Sequence, residues 1–281
     1  MGNSRSATSS TKNRQDFKSL EREGWDRNAV AYNKYMGGIT AQIMEDLLDA
    51  ASVRAGSHVL EVACGTGNGS AVAAKRGARP IGVDFAPTMV AEAHRRNSEL
   101  DFRIGDAENL DFEDRTFDAV ICPFGMLHLP DPERAVAEAF RVLRPGGKYA
   151  FTVWATLEKS PYLQCIVRSI ELHGTMDVGL PPAPDFFRFS DHDECRTILA
   201  DAGFEQPTVE ERVLEWAIDT PEALIDLQKE SGVRLRMVLE RQTPEALDCI
   251  YQAVREGAAE FAAENGYRVP WPAVLASAQK P

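Results

Sequence analysis

The sequence predicts an α/β fold in which a doubly wound, mostly parallel sheet carries helices on both faces, with further helices before it and inserted late in the chain. Two observations support this prediction. Between about residues 57 and 155, apolar segments of strand length alternate with segments of helical periodicity. The first strand also runs directly into a glycine-rich turn that opens a helix, which is typical of turns that bind nucleotides.

The predicted elements follow in order along the chain. Apolar residues at helical spacing predict helices over 23–38 and 40–53, and Thr40 is a candidate N-cap for the second. The alternating region then predicts parallel strands joined by right-handed crossovers. These strands fall at 57–63, 79–85, 100–106, 117–124 and 148–155, and the helices between them at 68–77, 86–99 and 131–147.

After residue 155 the pattern changes. It predicts a helix over 160–174, a loop rich in proline and aromatic residues, a second helix over 190–204 and a strand over 206–219. Ser190 and Asp193, at the start of the second helix, have the spacing of a capping box.

The segment TPEAL occurs at 220–224 and again at 243–247, and each copy has the threonine, proline and glutamate of a helix start. Residues 220–264 are therefore predicted to form a helical insertion before a last strand over 271–280. Because the insertion has more apolar positions than an exposed appendage needs, we expect it either to cover the site as a lid or to pack against a second subunit.

The composition limits the classes of partner. There are 31 Lys and Arg against 43 Asp and Glu, and a net charge of −12 lacks the basic footprint that nucleic acids and anionic membranes select. The five cysteines are widely spaced without a CxxC pair, which predicts free thiols in the cytoplasm and no thiol-bound metal. We expect no secretory signal, no membrane span, and a disordered tail over residues 1–15.

The stretch EVACGTGNGS contains the glycine-rich turn. Gly65 and Gly67 fit the dinucleotide fingerprint G-x-G-x-x-G, but Ser70 stands where its third glycine would fall. Glu61 places an acid inside the motif, and an acid favours a ligand with positive charge over one with phosphates. Asp84 ends the next strand, where a carboxylate can accept the ribose hydroxyls of NAD and of an adenosine sulfonium equally well.

Asp106 favours the second of these ligands. It ends the third strand, where a carboxylate can accept a hydrogen bond from an adenine amino group. Glu61, Asp84 and Asp106 would then stand at the carboxyl ends of three strands, around the crevice where such sheets bind their ligands.

The segments EVACGTGNG (61–69) and GVDFAPTMV (82–90), and the stretch from GDAENL to FTVW (105–154), resemble the class I S-adenosylmethionine-dependent methyltransferases. They are most similar to the group that includes the ubiquinone/menaquinone-biosynthesis C-methyltransferases. The resemblance covers roughly residues 25–155. It implies S-adenosylmethionine as cofactor, a small molecule as methyl acceptor, and a seven-stranded sheet whose last strand, 271–280, is antiparallel.

The elements and the resemblance together predict a division of the chain. Residues 16–55 would form N-terminal helices over the cofactor site, 56–219 with 265–281 a Rossmann-like methyltransferase domain, and 220–264 a lid. The resemblance further implies cofactor-binding roles for a set of residues: Tyr32, Glu61, Ala63 (where many members carry glycine), Gly65, Gly67, Asp84, Phe85, Met89, Asp106, Ala107 and Cys122.

Within that set, the resemblance assigns each residue a part of the cofactor. Glu61 and the glycine-rich turn would line the methionine part, and Tyr32 would close over its carboxylate. Asp84 would hold the ribose, Asp106 would read the adenine edge, and Cys122 would contribute backbone beside the sulfonium.

Methyl transfer is an in-line displacement that needs alignment, exclusion of water and, for some acceptors, removal of a proton. His128, just past the fourth strand, is the candidate base, although a structural histidine fits the sequence equally well, and Tyr32 is a second candidate. Taken singly, the other aromatic residues near the site are predicted to be core: Phe124, Trp154, Trp216, Phe186, Phe187 and Phe189.

The predicted function is therefore transfer of a methyl group to a small aromatic or apolar molecule, by a monomer or homodimer that binds neither nucleic acid nor membrane. Two alternatives stay open, a catalytically inactive S-adenosylmethionine-binding partner protein and an NAD-type oxidoreductase. The binding motifs alone do not separate an active enzyme from an inactive binder, and they do not identify the acceptor or the methylated atom.

Overall fold

The computed structural model describes residues 3–281, with side chains from residue 12 onward. Seven strands in this part of the chain form one sheet in the order β3-β2-β1-β4-β5-β7-β6. β7 is antiparallel to both of its neighbours, and the other pairings are parallel, so the predicted fold class is confirmed. The strands are β1 His58–Val62, β2 Arg79–Asp84, β3 Asp101–Ile104, β4 Phe117–Pro123, β5 Leu143–Trp154, β6 Glu205–Ile218 and β7 Tyr267–Gln279.

Helices cover the sheet and precede it, and they also form the late insertion. They are α1 Asn3–Tyr35, α2 Gly37–Thr40, α3 Met44–Ala50, α4 Asn68–Lys75, α5 Pro87–Arg96, α6 Pro132–Val142, α7 Pro161–His173, α8 His192–Asp201, α9 Glu222–Glu230, α10 Arg234–Leu239 and α11 Pro244–Gly257. None of the described helices is both long enough and apolar enough to cross a membrane.

The strand order reverses at β1, and this point positions the site. β1 pairs in parallel with β2 on one side and with β4 on the other, so the carboxyl ends of three strands lie side by side. The residues of β1 from Val59 to Val62 are buried, as expected for a strand covered on both faces. Sheets of this kind bind their ligands in the crevice at such a reversal.

Helix α1 differs from the prediction at its beginning. Residues 3–15, expected to be disordered, belong to this helix, while Met1 and Gly2 lie outside the described residues. The described side chains of α1 attach the helix to the sheet domain. Phe17 is buried, and Arg14 forms an ion pair with Asp131. These contacts join segments more than a hundred residues apart, so local composition does not indicate them.

The sequence predicts helix caps at Thr40, Ser190, Thr220 and Thr243, and the structure confirms only the last of them. Thr40 ends α2, where its Oγ1 donates a hydrogen bond to the carbonyl of Met36 (3.1 Å). The cap of α8 is Asp191, which accepts from the backbone N–H of Asp193 (2.8 Å), because the Ser190 hydroxyl donates to the preceding turn instead. Of the two TPEAL threonines, Thr243 caps α11 as predicted, whereas α9 begins after Pro221 without a side-chain cap.

The insertion packs within its own chain. Leu224, Ile250 and Val254 are fully buried in the larger hydrophobic core, which also contains Ile166 of α7. Burial accounts for most of the apolar positions that led us to consider a second subunit, whereas Leu235, Met237 and Leu247 are only partly buried. The helices of the insertion stand beside α7 and α1.

Candidate active site

Two adjoining cavities lie at the carboxyl ends of β1, β2 and β4, with α1 passing over them. The strand-end cavity is lined by the strand ends and the turns that follow them. The apolar cavity is lined mainly by aromatic and aliphatic side chains from α1, α7, the 176–187 loop and the insertion. Four residues line both cavities: Trp25, Tyr32, Phe124 and His128.

Most of the predicted site residues lie around the strand-end cavity. Those that line it are Tyr32, Glu61, Ala63, Gly65, Asp84, Phe85, Met89, Asp106, Ala107 and His128. Gly67 and Cys122 do not line it. The cavity wall after β4 is formed by Pro123, Phe124 and Gly125, because the chain turns at Phe124 with φ +55° and leaves Cys122 fully buried behind it.

The glycines of the turn have different tasks. Gly65 (φ +52°) lines the cavity, and a Cβ built on it would have no protein atom within 4 Å, so it would project into open space. Gly67 (φ +78°) begins α4, and a Cβ there would lie 2.5 Å from the ring of Phe102. Gly65 thus keeps the cavity open, whereas Gly67 allows the turn to pack against β3.

Glu61 and Ser70 explain the departure from the dinucleotide fingerprint. The buried carboxylate of Glu61 accepts hydrogen bonds from the backbone N–H groups of Gly69 (3.1 Å) and Ser70 (2.6 Å) and from the Ser70 hydroxyl (2.6 Å). Ser70 therefore anchors the acid to the first turn of α4. Burial raises the pKa of Glu61 to about 7, so this acid changes charge near neutral pH.

Asp84 holds the turn from the next strand. Its Oδ2 accepts from the backbone N–H of Gly65 (2.8 Å) and its Oδ1 from that of Ala86 (2.9 Å). Each carboxylate oxygen has a second lone pair, so the side chain can still accept hydroxyl groups from a ligand in the cavity. Burial raises the pKa of Asp84 to about 6.

The carboxylate of Asp106 already accepts a hydrogen bond from Lys18 of α1, a contact that the sequence did not indicate. Lys18 donates from Nζ to Oδ2 of Asp106 and to Oε2 of Glu108, each at 2.6 Å, and the backbone N–H of Glu108 donates to Oδ1 (3.0 Å). Lys18 thus lines the strand-end cavity beside Asp106. A ligand amino group would share the Asp106 carboxylate with this lysine.

His128 lies between the two cavities and contacts α1. Its Nδ1 is 2.8 Å from Oε2 of Glu21, which also accepts from Trp25 Nε1 (3.2 Å). Tyr32, the second candidate base, is disfavoured because burial raises its pKa to about 12, so the phenol keeps its proton at neutral pH.

The aromatic residues of the apolar cavity were predicted as core. Phe124 stacks on Trp154 with ring centroids 3.9 Å apart, and both line the cavity together with Phe186 and Phe187. Phe189 and Trp216 pack in the core, as predicted. Phe124 also belongs to the hydrophobic core, as predicted, and Trp154 packs against that core. Both stand at the carboxyl ends of adjacent strands, β4 and β5, and this position is what indicates that they line a cavity as well.

Three residues of α1 that the sequence analysis missed, Lys18, Glu21 and Trp25, share one helical face with Tyr32, which it predicted. Lys18, Glu21, Trp25 and Tyr32 follow the spacing i, i+3, i+7 and i+14, and each lines at least one cavity. This mixed polar and aromatic stripe is the pattern that could have identified them. Among the described residues, no group of three or more His, Cys, Asp or Glu is placed to hold a metal ion.

Comparison with known proteins relates this geometry to a family. A family model described as "Methyltransferase domain" matches residues 60–151. A demethylmenaquinone methyltransferase of Paenarthrobacter aurescens is 31% identical over 180 residues, which cover 61% of this chain and 71% of that protein. The protein of the same name from Renibacterium salmoninarum is 32% identical over 167 residues, covering 56% and 70%.

A solved structure shares the fold at lower identity. Phosphoethanolamine N-methyltransferase 2 of Haemonchus contortus, in complex with S-adenosyl-L-methionine, has a TM-score of 0.56 and 19% identity, covering 91% of this chain and 57% of that one. At this identity the likeness concerns the fold alone.

Proposed function

Because the chain belongs to the class I S-adenosylmethionine-dependent methyltransferases, in the group that includes the demethylmenaquinone methyltransferases, we propose that its methyl acceptor is a small aromatic or apolar molecule held in the apolar cavity. Its cofactor is S-adenosylmethionine. The observation that carries the proposal is the junction of the two cavities beside His128, where a cavity lined by Glu61, Asp84 and Asp106 meets a large one with aromatic and aliphatic walls.

The residues of the strand-end cavity fit the cofactor. We propose that Asp84 accepts the ribose hydroxyls with its remaining lone pairs and that Phe85 and Met89 pack against the adenine. Gly65 leaves room for the ligand, and the carboxylate of Glu61 favours its positive charge. The bound sulfonium supplies a methyl group to a nucleophile that approaches in line, so the protein's task is alignment and exclusion of water.

The apolar cavity supports an acceptor of stated chemistry. The relatives are named for demethylmenaquinone, whose ring is aromatic and whose side chain is apolar. The stacked rings of Phe124 and Trp154 offer a flat surface for such a ring, and the aliphatic wall of α7, which includes Leu163 and Val167, suits the side chain. We therefore propose reduced demethylmenaquinone or a molecule of the same class as the acceptor.

We propose that residues 220–264 act as a lid that selects the acceptor. Leu227 of α9, Val238 of α10 and Val233 between them line the apolar cavity, while no residue of this segment lines the strand-end cavity. The segment can therefore shape the acceptor pocket without touching the cofactor.

The charge and the cysteines of the chain indicate its partners and its location. With a net charge of −12 we propose that the protein does not bind nucleic acid, and its five free thiols favour a reducing compartment such as the cytoplasm. The oxidoreductase alternative is set aside, since the position of the third fingerprint glycine is used by Ser70 to anchor Glu61. Turnover decides between an active enzyme and an inactive binder.

Cofactor binding should depend on pH. Glu61 and Asp84 have raised pKa values of about 7 and about 6, so in the free protein both carry protons at mildly acidic pH. A positively charged ligand favours the ionised carboxylates, so binding should release protons and tighten as the pH rises through these two values. Calorimetry in buffers of different ionisation enthalpy should detect this release. An affinity that stays flat from about pH 5 to about pH 8 would contradict the assignment of these acids.

The acceptor cavity can be tested by filling it. Val167→Trp adds bulk to the cavity wall on α7, so kcat/KM for reduced demethylmenaquinone should fall by at least about fivefold, because overpacking costs about 1–3 kcal/mol. Affinity for S-adenosylhomocysteine should stay within about tenfold, or about 1.4 kcal/mol. Leu172→Trp, on an exposed position of the same helix, is the control and should behave as wild type. Full turnover by Val167→Trp would contradict the proposed acceptor site.

A further inference from the structure

We propose that Glu21 is a positioning residue that holds the His128 ring with its proton on Nδ1, so that Nε2 can take a proton from the acceptor. This inference rests on the proposed function and adds a second residue to the site, supplied by α1. Neither residue alone indicates the pair, because they are 107 positions apart in the sequence.

The hydrogen bonds of Glu21 determine the tautomer. Its side chain is only 3% exposed, and Oε2 accepts from His128 Nδ1 at 2.8 Å and from Trp25 Nε1 at 3.2 Å. An ionised carboxylate only accepts hydrogen bonds, so in the neutral imidazole the proton must be on Nδ1. The lone pair is then on Nε2, which makes no hydrogen bond to any residue that the structure describes.

Packing fixes the orientation of the same ring. Trp25 meets the His128 ring edge-on with centroids 4.8 Å apart, and Phe186 approaches it at 5.9 Å. His128 lines both cavities, whereas Glu21 lines only the apolar one. Two aromatic contacts and a buried carboxylate are more than a loop histidine needs, and they hold an unpaired ring nitrogen at the junction of the cavities.

In the proposed reaction, proton transfer to His128 accompanies formation of the bond between the acceptor and the methyl carbon. His128 Nε2 takes a proton from a hydroxyl or an acidic C–H of the acceptor, and the electron pair left behind forms the bond to the methyl carbon. The electrons of the sulfur–methyl bond remain on sulfur, which becomes a neutral thioether. The imidazolium is paired with the Glu21 carboxylate until it releases its proton to water.

Glu21→Met tests the proposal because it keeps the length of the side chain and removes the acceptor atoms. In protein with ¹⁵N-labelled histidine, the neutral His128 ring should carry its proton mainly on Nδ1 in the wild type and lose that preference in Glu21→Met. With reduced demethylmenaquinone as the probe, kcat should fall by at least about tenfold, a part of the roughly 10²–10⁴-fold effect of a general base. Glu21→Gln, which retains an accepting oxygen, should preserve the Nδ1 proton and lose less activity.

The control addresses a purely structural role for Glu21. Asp26, less than two turns further along α1, accepts hydrogen bonds from the backbone N–H and the hydroxyl of Thr88 through Oδ1 and does not contact His128, so Asp26→Ala removes this attachment of the helix. It should leave the His128 tautomer and kcat unchanged. An unchanged tautomer in Glu21→Met, or an equal loss of kcat in both variants, would overturn the positioning role. A wild type that shows the Nδ1 proton but does not methylate the probe would instead reject the proposed acceptor.

Discussion

Replacing Asp84 by asparagine should weaken S-adenosylmethionine binding by about 1.5–3 kcal/mol, the range for hydrogen bonds to a charged group. The change removes the carboxylate that we assign to the ribose hydroxyls. It also places an amide N–H₂ against one of two backbone donors, the N–H of Gly65 or that of Ala86. Calorimetric titration with S-adenosylmethionine measures the loss, expected to be about tenfold to a hundredfold or more in Kd.

Asp118→Asn provides the matched control for this variant. Asp118 also accepts a backbone hydrogen bond, from His58 (2.8 Å), and pairs with Arg144 (2.6 Å), but it lines neither cavity. Its replacement should leave cofactor affinity unchanged. If Asp84→Asn binds S-adenosylmethionine as tightly as the wild type does, the cofactor does not rest on this carboxylate.

Replacing His128 by glutamine should reduce methyl transfer by about 10²–10⁴-fold, the usual contribution of a general base. Glutamine can keep the contact with Glu21 but cannot take the acceptor's proton at neutral pH. Affinity for S-adenosylhomocysteine should remain within about tenfold, because His128 is not assigned to hold the cofactor. The loss should therefore appear in kcat with reduced demethylmenaquinone as the acceptor.

A second histidine separates this effect from general destabilisation. His94 of α5 has its Nε2 3.0 Å from the carbonyl oxygen of Phe102 and lines neither cavity. His94→Gln should keep wild-type turnover. Full turnover by His128→Gln would mean that the acceptor needs no base, and His128 would then be a structural residue.

The sheet and the strand ends could be predicted because local sequence determines them. A strand covered on both faces is expected to be apolar along its length, and Val59, Leu60 and Val62 of β1 fit this expectation. Glu61 is a buried acid in the same strand, so it has to be functional or hydrogen-bonded. Asp84 is the last residue of β2 and Asp106 lies two residues past the end of β3, and parallel strands end at the same edge of a sheet. These positions need no knowledge of distant contacts.

The contacts of Lys18 and Glu21 on α1 depend on tertiary packing and could not be derived in this way, although the sequence did place N-terminal helices and Tyr32 over the cofactor site. Lys18 meets Asp106 across 88 residues and Glu21 meets His128 across 107, and neither partner indicates the other in the sequence. Tertiary packing also decides whether a buried side chain lines a cavity. Phe124 and Phe189 are both buried aromatic residues, yet only Phe124 lines the cavities.

Local hydrogen bonds set a finer limit on prediction. Serine and aspartate both cap helices well. Asp191 caps α8 because the Ser190 hydroxyl donates its hydrogen bond to the carbonyl of Phe187 in the preceding turn. Gly65 and Gly67 both have positive φ, but the reason for each differs, open space in one case and the Phe102 ring in the other. The sequence predicts that such residues have a structural role, but it does not identify the residue that each of them contacts.

A crystal structure with S-adenosylhomocysteine bound would test the central claim most directly. We expect the ribose hydroxyls within hydrogen-bond distance of Asp84 and the sulfur beside His128, at the junction of the strand-end cavity and the apolar cavity. Methyl transfer into the apolar cavity would then be geometrically direct. A ligand that binds with its sulfur beside Lys18, or outside the strand-end cavity, would contradict the account.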